Sequence, residues 1–106
     1  MLIQYSITKG VSVQFEWDEV KNESNLNKHG FYLEAGALVW RDAYRLVMAD
    51  NRKDYGEDRF NCMGDTEFGV LRVCYTMRDD NIRLISVRRA NKKERGVYND
   101  NKKNDP

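Results

Sequence analysis

The sequence predicts an α+β fold: an antiparallel sheet of four to five strands, with two N-terminal helices packed on one face and a short C-terminal helix. Three observations lead there. Residues 11–17 alternate Val11, Val13, Phe15 and Trp17 with Ser12, Gln14 and Glu16, the period-two pattern of a half-buried strand. Residues 70–78 repeat it, with Leu71, Val73, Tyr75 and Met77 on one face and Arg72, Cys74, Thr76 and Arg78 on the other. The later strand candidates are joined by hairpin-length connections, whereas the main helix signals gather earlier in the chain.

Residues 1–10 form either an added strand or a loose extension, because Leu2, Ile3, Tyr5 and Ile7 are apolar but uncapped. After the strand at 11–17, Asp18 stands where a helix N-cap belongs, Glu19 suits the first turn, and Gly30 suits a C′ position. The segment between them is unusually polar. Val20 and Leu26 are its clear core contacts, so packing rather than amphipathic strength must hold it. Lys28 and His29 fall in its last turn, where cations suit the helix dipole. A shorter helix follows from Leu33 to about Trp40, with Leu33, Ala37, Leu38 and Trp40 as its apolar stripe.

Residues 46–49 read as a strand, and residues 49–58 (ADNRKDYGED) as a polar, flexible surface loop. Residues 59–64 resume as a strand, and the glycine-bounded stretch 64–69 connects it to the strand at 70–78. An Asp-Asp-Asn turn leads to the last strand, residues 82–90. There Ile85 and Val87 share one parity with Arg83 and Arg89, while Leu84 and Ser86 share the other with Arg88, so alternation leaves the buried face open. Asn91 can cap a short helix over residues 92–98. Residues 99–106 then trail off as a charged, disordered tail. The chain thus reads as one domain over residues 1–98, its first 12 residues an extension.

No apolar run approaches the roughly 18 residues of a membrane span. The opening MLIQYSITKG lacks the basic flank and sustained apolar stretch of a secretory signal, which makes the cytoplasm the expected compartment. Reduced thiols at Cys62 and Cys74 are then favoured over a bridge between neighbouring strands. Their spacing and the single histidine match no metal motif, so no metal and no cofactor are expected. Charge is divided sharply: residues 72–106 hold 10 Lys/Arg against 5 Asp/Glu, net +5, and residues 1–71 hold 8 against 12, net −4. A cationic face of that kind suits an anionic partner such as RNA or DNA.

Several spaced motifs carry more than pattern. These are Phe15-Glu16-Trp17-Asp18, Lys21, Asn25, Lys28-His29-Gly30, Glu34-Ala35, Glu57-x-Arg59-Phe60 and Gly64. Val73-x-Tyr75-Thr76, Arg83-x-Ile85-Ser86, Arg88-x-Ala90, Glu94-Arg95 and Tyr98 follow in order. Over about residues 13–98 the chain closely resembles the BrnT toxin family. The resemblance implies a RelE-like fold and the toxin of a type II toxin–antitoxin pair, a small ribonuclease that inhibits translation. It also implies a BrnA-like antitoxin with a ribbon-helix-helix segment, and a joint complex that represses its own operon by binding operator DNA through the antitoxin. The chain departs from the family's usual form in residues 1–12, in Asn91 where threonine is common, and in Val87 where alanine is frequent.

Cleavage of RNA by its own 2′-hydroxyl needs a proton acceptor, a proton donor for the leaving 5′-oxygen, and cations for the charge that develops on phosphorus. The candidates for that chemistry are Lys28, His29, Arg59, Arg83, Arg88, Glu94 and Tyr98. Arg72, Arg78, Arg89, Lys92, Lys93 and Arg95 are candidates for holding RNA phosphates. His29 alone has an ordinary pKa near neutrality, although a histidine beside a helix-ending glycine also serves as a cap. Each arginine has a structural alternative in ion pairs with Glu57, Asp58 or Glu94. Tyr75 and Tyr98 are candidates for stacking on bases, Tyr75 sharing the parity of core residues. Two functions fit these residues: a metal-independent endoribonuclease, and a non-catalytic basic module acting only with a partner protein.

Overall fold

A computed structural model describes residues 2–8, 11–51 and 54–104, with residues 2–8, 11 and 12 described by their backbone alone. One six-stranded sheet runs in the order β1 (Leu2–Thr8), β2 (Val11–Glu16), β6 (Asn81–Arg89), β5 (Gly69–Arg78), β4 (Phe60–Thr66) and β3 (Leu46–Ala49). Strands β3 to β6 form an antiparallel meander and β1 pairs antiparallel with β2. Strands β2 and β6 are parallel, matched at Phe15 with Ile82 and Glu16 with Arg83. The expected antiparallel sheet of four to five strands is therefore corrected to a mixed one of six. Strands this far apart in sequence have no hairpin to impose direction on them.

Both turns of the meander are tighter than their sequences suggest. Thr66 pairs with Gly69, whose φ is 92°, so only Glu67 and Phe68 make the bend. Asp79 and Asp80 join β5 to β6 with φ of 52° and 66°, the consecutive left-handed pair of a type I′ turn, which aspartate tolerates. Of the loop expected over residues 49–58, Ala49 ends β3 and Asp50 is buried, its N–H donating to the Arg59 carbonyl at 2.8 Å. Arg52 and Lys53 lie outside the described residues.

The first helix meets β6 and the helical segment that follows it. Helix α1 (Glu19–His29) ends as expected, with Gly30 at φ 80° and its N–H on the Leu26 carbonyl, but Asp18 makes no side-chain cap bond. Val20 is 77% exposed, and the buried residues of α1 are Asn22 and Asn25. Asn22 Oδ1 accepts the Leu33 N–H at 2.7 Å. Asn25 Nδ2 donates to the Val87 carbonyl at 2.9 Å and to the Phe31 carbonyl at 2.8 Å, while its Oδ1 accepts the Val87 N–H at 3.1 Å. A carboxamide thereby supplies β6 with the bonds of a neighbouring strand, where β2 has turned away.

Leu33–Arg41 is a 3₁₀ helix lying across β4, β5 and β6. It approaches so closely that a Cβ on Gly36 would stand 2.7 Å from Val87 Cγ2, and one on Gly64 would stand 2.7 Å from Val39 Cγ1 and 3.0 Å from the Val39 carbonyl. Phe15, Leu33, Val39, Trp40, Val73 and Val87 join the main core beneath it, with Trp40 edge-on to Phe15 and Tyr75.

Helix α2 (Lys92–Lys103) covers the opposite face, where Tyr98 packs with Met63 and Ala90 against Leu46 and Val70. Its helix continues through residues 99–103, which composition assigned to a disordered tail. An Asn91–Glu94 capping box starts it and Lys102 and Lys103 suit its C-terminal end.

Asn25→Ala would strand one buried N–H and two buried carbonyls. We expect a loss of roughly 3 kcal/mol or more in urea unfolding; a variant as stable as the parent would reject the bridging role.

Candidate nucleic-acid interface

A one-residue bulge places the arginines. Cys74 pairs with Ser86 but Tyr75 pairs with Leu84, which leaves Ile85 as an extra residue on β6. Ile82 and Leu84 therefore face the core before the bulge, and Val87 faces it afterwards. The same shift brings Arg83 and Arg88, of opposite parity in sequence, to the outer face. There Arg83 lies opposite Thr76, and Arg88 lies opposite Arg72.

Two carboxylates sit on this strip of three arginines. Arg83 Nη1 donates to Glu16 Oε2 at 2.7 Å. Arg88 grips Glu94 in a fork, Nη1 to Oε1 at 2.7 Å and Nη2 to Oε2 at 2.9 Å, and Arg72 Nε adds a contact to Oε2 at 3.1 Å. Glu94 Oε1 also accepts the Asn91 N–H at 2.9 Å. The Arg88 hydrogen bonds, aided by the Asn91 N–H and the nearby charges of Arg88 and Arg72, hold the Glu94 carboxyl down at about 2. A carboxylate so fixed is an anchor rather than a proton carrier near neutrality, which corrects its place among the acid–base candidates.

Lys28 and His29 reach the same region from the C-terminal turn of α1. With Lys21, Ser24, Ile85 and Ser86 they line a small cleft of about 220 Å³. Partial burial, then the charges of Lys28 and Arg88, lower the His29 pKa, so its imidazole is neutral and able to accept a proton at pH 7.

The remaining candidates lie elsewhere, and the single convergent cationic face expected from charge arithmetic is not formed. Arg59 and Arg78 share Glu57, at 3.5 Å and 3.6 Å. Arg59 lies 3.9 Å from the Tyr55 ring centroid, and its buried Nε has no hydrogen-bond partner among the described residues. Arg89 turns to the other face, 4.9 Å from the Phe31 ring centroid. Lys92 and Lys93 are exposed at the start of α2, and Arg95 Nη1 donates to the Ala90 carbonyl at 2.8 Å.

Tyr98 is buried, and its hydroxyl donates to Asp42 Oδ2. Burial and that carboxylate raise the Tyr98 pKa, so it is placed to lock α2 rather than to transfer protons. Asp42, which sequence reasoning missed, also accepts the backbone N–H groups of Tyr44 and Asp65 at 2.9 Å and 2.8 Å. Burial opposes its ionisation, but these donors outweigh it and lower the Asp42 pKa. Tyr75, at 7% exposure, is likewise core and unavailable for stacking on bases. Cys62 faces the core, where burial pushes its thiol up to about 12, and no disulfide joins it to Cys74. Among the described residues no group of three His, Cys, Asp or Glu side chains is placed to hold a metal ion.

A profile of the family described as the ribonuclease toxin BrnT of type II toxin–antitoxin systems matches residues 17–94. No curated protein matches the chain.

Glu94→Gln tests the anchor. Because the folded-state pKa is depressed, the stability Glu94 contributes is complete above its ordinary value of 4.5 and is lost as pH falls toward about 2. The variant should be less stable than the parent by about 2 kcal/mol near neutrality, with the gap in denaturant unfolding closing across that window. A gap independent of pH would reject the assignment.

Proposed function

The chain belongs to the BrnT family of ribonuclease toxins of type II toxin–antitoxin systems, and from that premise we propose that it is an endoribonuclease that halts translation by cutting RNA without a metal ion. The single observation that carries the reading is the cleft in which His29 and Lys28 meet Ser86, two residues before Arg88 on the same outer face of β6, with the Arg88 charge among the causes that lower the His29 pKa.

His29 takes the proton of the attacking 2′-hydroxyl, which then bonds to phosphorus. Arg88, with Arg72 beside it, stabilises the negative charge on the phosphoryl oxygens. Lys28, an ammonium at the same edge, supplies the proton to the departing 5′-oxygen. Glu94 holds the two guanidinium groups at fixed orientation, and Arg83 extends the strip toward the neighbouring phosphate. A BrnA-like antitoxin with a ribbon-helix-helix segment is the proposed partner. It silences the nuclease and carries the complex to operator DNA in the cytoplasm.

A second reading draws on the ion pairs: Arg72, Arg83 and Arg88 each already hold a carboxylate, as in a non-catalytic module whose cations are structural. The purified chain, incubated with defined RNA and excess chelator, separates the two. Under the nuclease reading cleavage persists in chelator, and both His29→Gln and Arg88→Ala lower its rate by about 100-fold or more with the circular dichroism spectrum unchanged. Because the His29 pKa lies below its ordinary 6.5, the parent should keep full rate at pH 7 and lose it only on further acidification. Binding without cleavage in the parent would favour the module, and loss of cleavage on chelation would reject metal independence.

A further inference from the structure

An aromatic groove opens on the sheet face opposite the arginine strip, where the chain leaving His29 passes the β4–β5 turn. Phe31 and Phe68 meet edge-on there at 5.8 Å between ring centroids. Tyr32 and Phe68 remain 48% and 44% exposed, large aromatic surfaces that folding has left in water. The space between them is about 520 Å³, within the usual size of a small-molecule site; Leu26, Ala35 and Leu38 add apolar walls, and Glu34, Glu67 and Arg89 are its charged lining.

The groove is near the proposed chemistry along two chain segments. Phe31 and Tyr32 follow His29 by two and three residues, at most about 10 Å of extended chain. Arg89 is the residue after Arg88, pointing to the other face of β6. An RNA strand whose phosphate lies at His29 and Arg88 can therefore turn a neighbouring base around the C-terminal turn of α1, whose Lys28 and His29 line the cleft and whose Leu26 and Gly30 line the groove.

The polar lining selects among bases. Arg89 brings a planar fork of donors, already laid over the Phe31 ring, while Glu67, beside Phe68 in the turn, and Glu34 bring only acceptors. Guanine matches both at once: its O6 and N7 are the acceptor pair that arginine takes in fork geometry, and its N1–H and 2-amino group are donors for a carboxylate. Adenine offers no acceptor pair to Arg89, and uracil offers one donor.

We propose that this groove is a nucleobase subsite that stacks an unpaired guanine between Tyr32 and Phe68, beside the bond to be cut. The inference rests on the ribonuclease reading for its position but not for its detection. The test uses short single-stranded RNAs with every 2′-hydroxyl methylated, so that binding is measured without cleavage, and with one base varied in a uridine background. Fluorescence anisotropy should show the guanine oligonucleotide binding about tenfold more tightly than all-uridine. Tyr32→Ala and Phe68→Ala, each checked for an unchanged fold by circular dichroism, should reduce that advantage to within about twofold. Glu67→Gln should narrow the gap between guanine and adenine while leaving the stacking advantage of both over uridine.

A parent that binds all four bases alike, or a guanine preference that survives both aromatic substitutions, would overturn the proposal. So would aromatic variants that escape neutralisation by the antitoxin while keeping the parent's base preference, since the groove would then belong to a protein partner. A parent with the guanine preference but no cleavage of unmodified RNA would leave the subsite standing and remove the nuclease reading instead.

Discussion

The carboxamide of Asn25 is the constraint on which the rest of the molecule depends. Strand β6 is central to the sheet, yet β2 accompanies it only through Ile82 and Arg83. Beyond that point its edge carries backbone groups that burial would leave without partners, at a cost of about 1–3 kcal/mol each. Asn25 binds both polar groups of Val87 and the Phe31 carbonyl besides. A helix with almost no apolar face is thereby fixed against the sheet by hydrogen bonds. Its last turn, with Lys28 and His29, is delivered to the flank of Arg88 as a consequence.

A second polar lock works on the other face. Helix α2 is too hydrophilic to be held by its few apolar contacts alone, since Tyr98 is its one buried residue. Glu94 ties its first turn to Arg72 and Arg88, and Tyr98 ties its middle to Asp42. Surface ion pairs contribute little when each partner is solvated, but a partly covered, forked pair with a third donor differs in both desolvation and geometry. The carboxylate also relieves the repulsion between two guanidinium groups directly opposite on adjacent strands. The same contact thus stabilises the fold and orients the Arg72 and Arg88 guanidinium groups.

The distribution of positive charge shows where composition misleads. Net charge in residues 72–106 is concentrated in sequence but divided in space, because successive side chains of a strand point to opposite faces. Arg88 and Arg89 are neighbours in the chain and lie on different sides of the sheet. Arg59 and Arg78 gather at Glu57, away from the strip. What remains at the proposed site is three arginines, two lysines (Lys21 and Lys28) and a histidine. The exposed aromatics are Tyr32 and Phe68, whereas Tyr75 and Tyr98 are buried.

By itself the sequence determined the local elements and the family. The alternation of residues 70–78, the end of α1 at Gly30 and the Asn91 cap are written in short-range sterics and hydrogen bonding, and the ordered motifs suffice for kinship. Only the tertiary structure decided which side chains meet. The parallel pairing of β2 with β6, the burial of Asn25 against Val87 while Val20 stays exposed, and the bulge that turns Arg83 and Arg88 to one face all depend on partners more than 50 residues away or on a two-against-one register. No window of local pattern contains that register, because each extra residue in a strand reverses the face of every side chain beyond it.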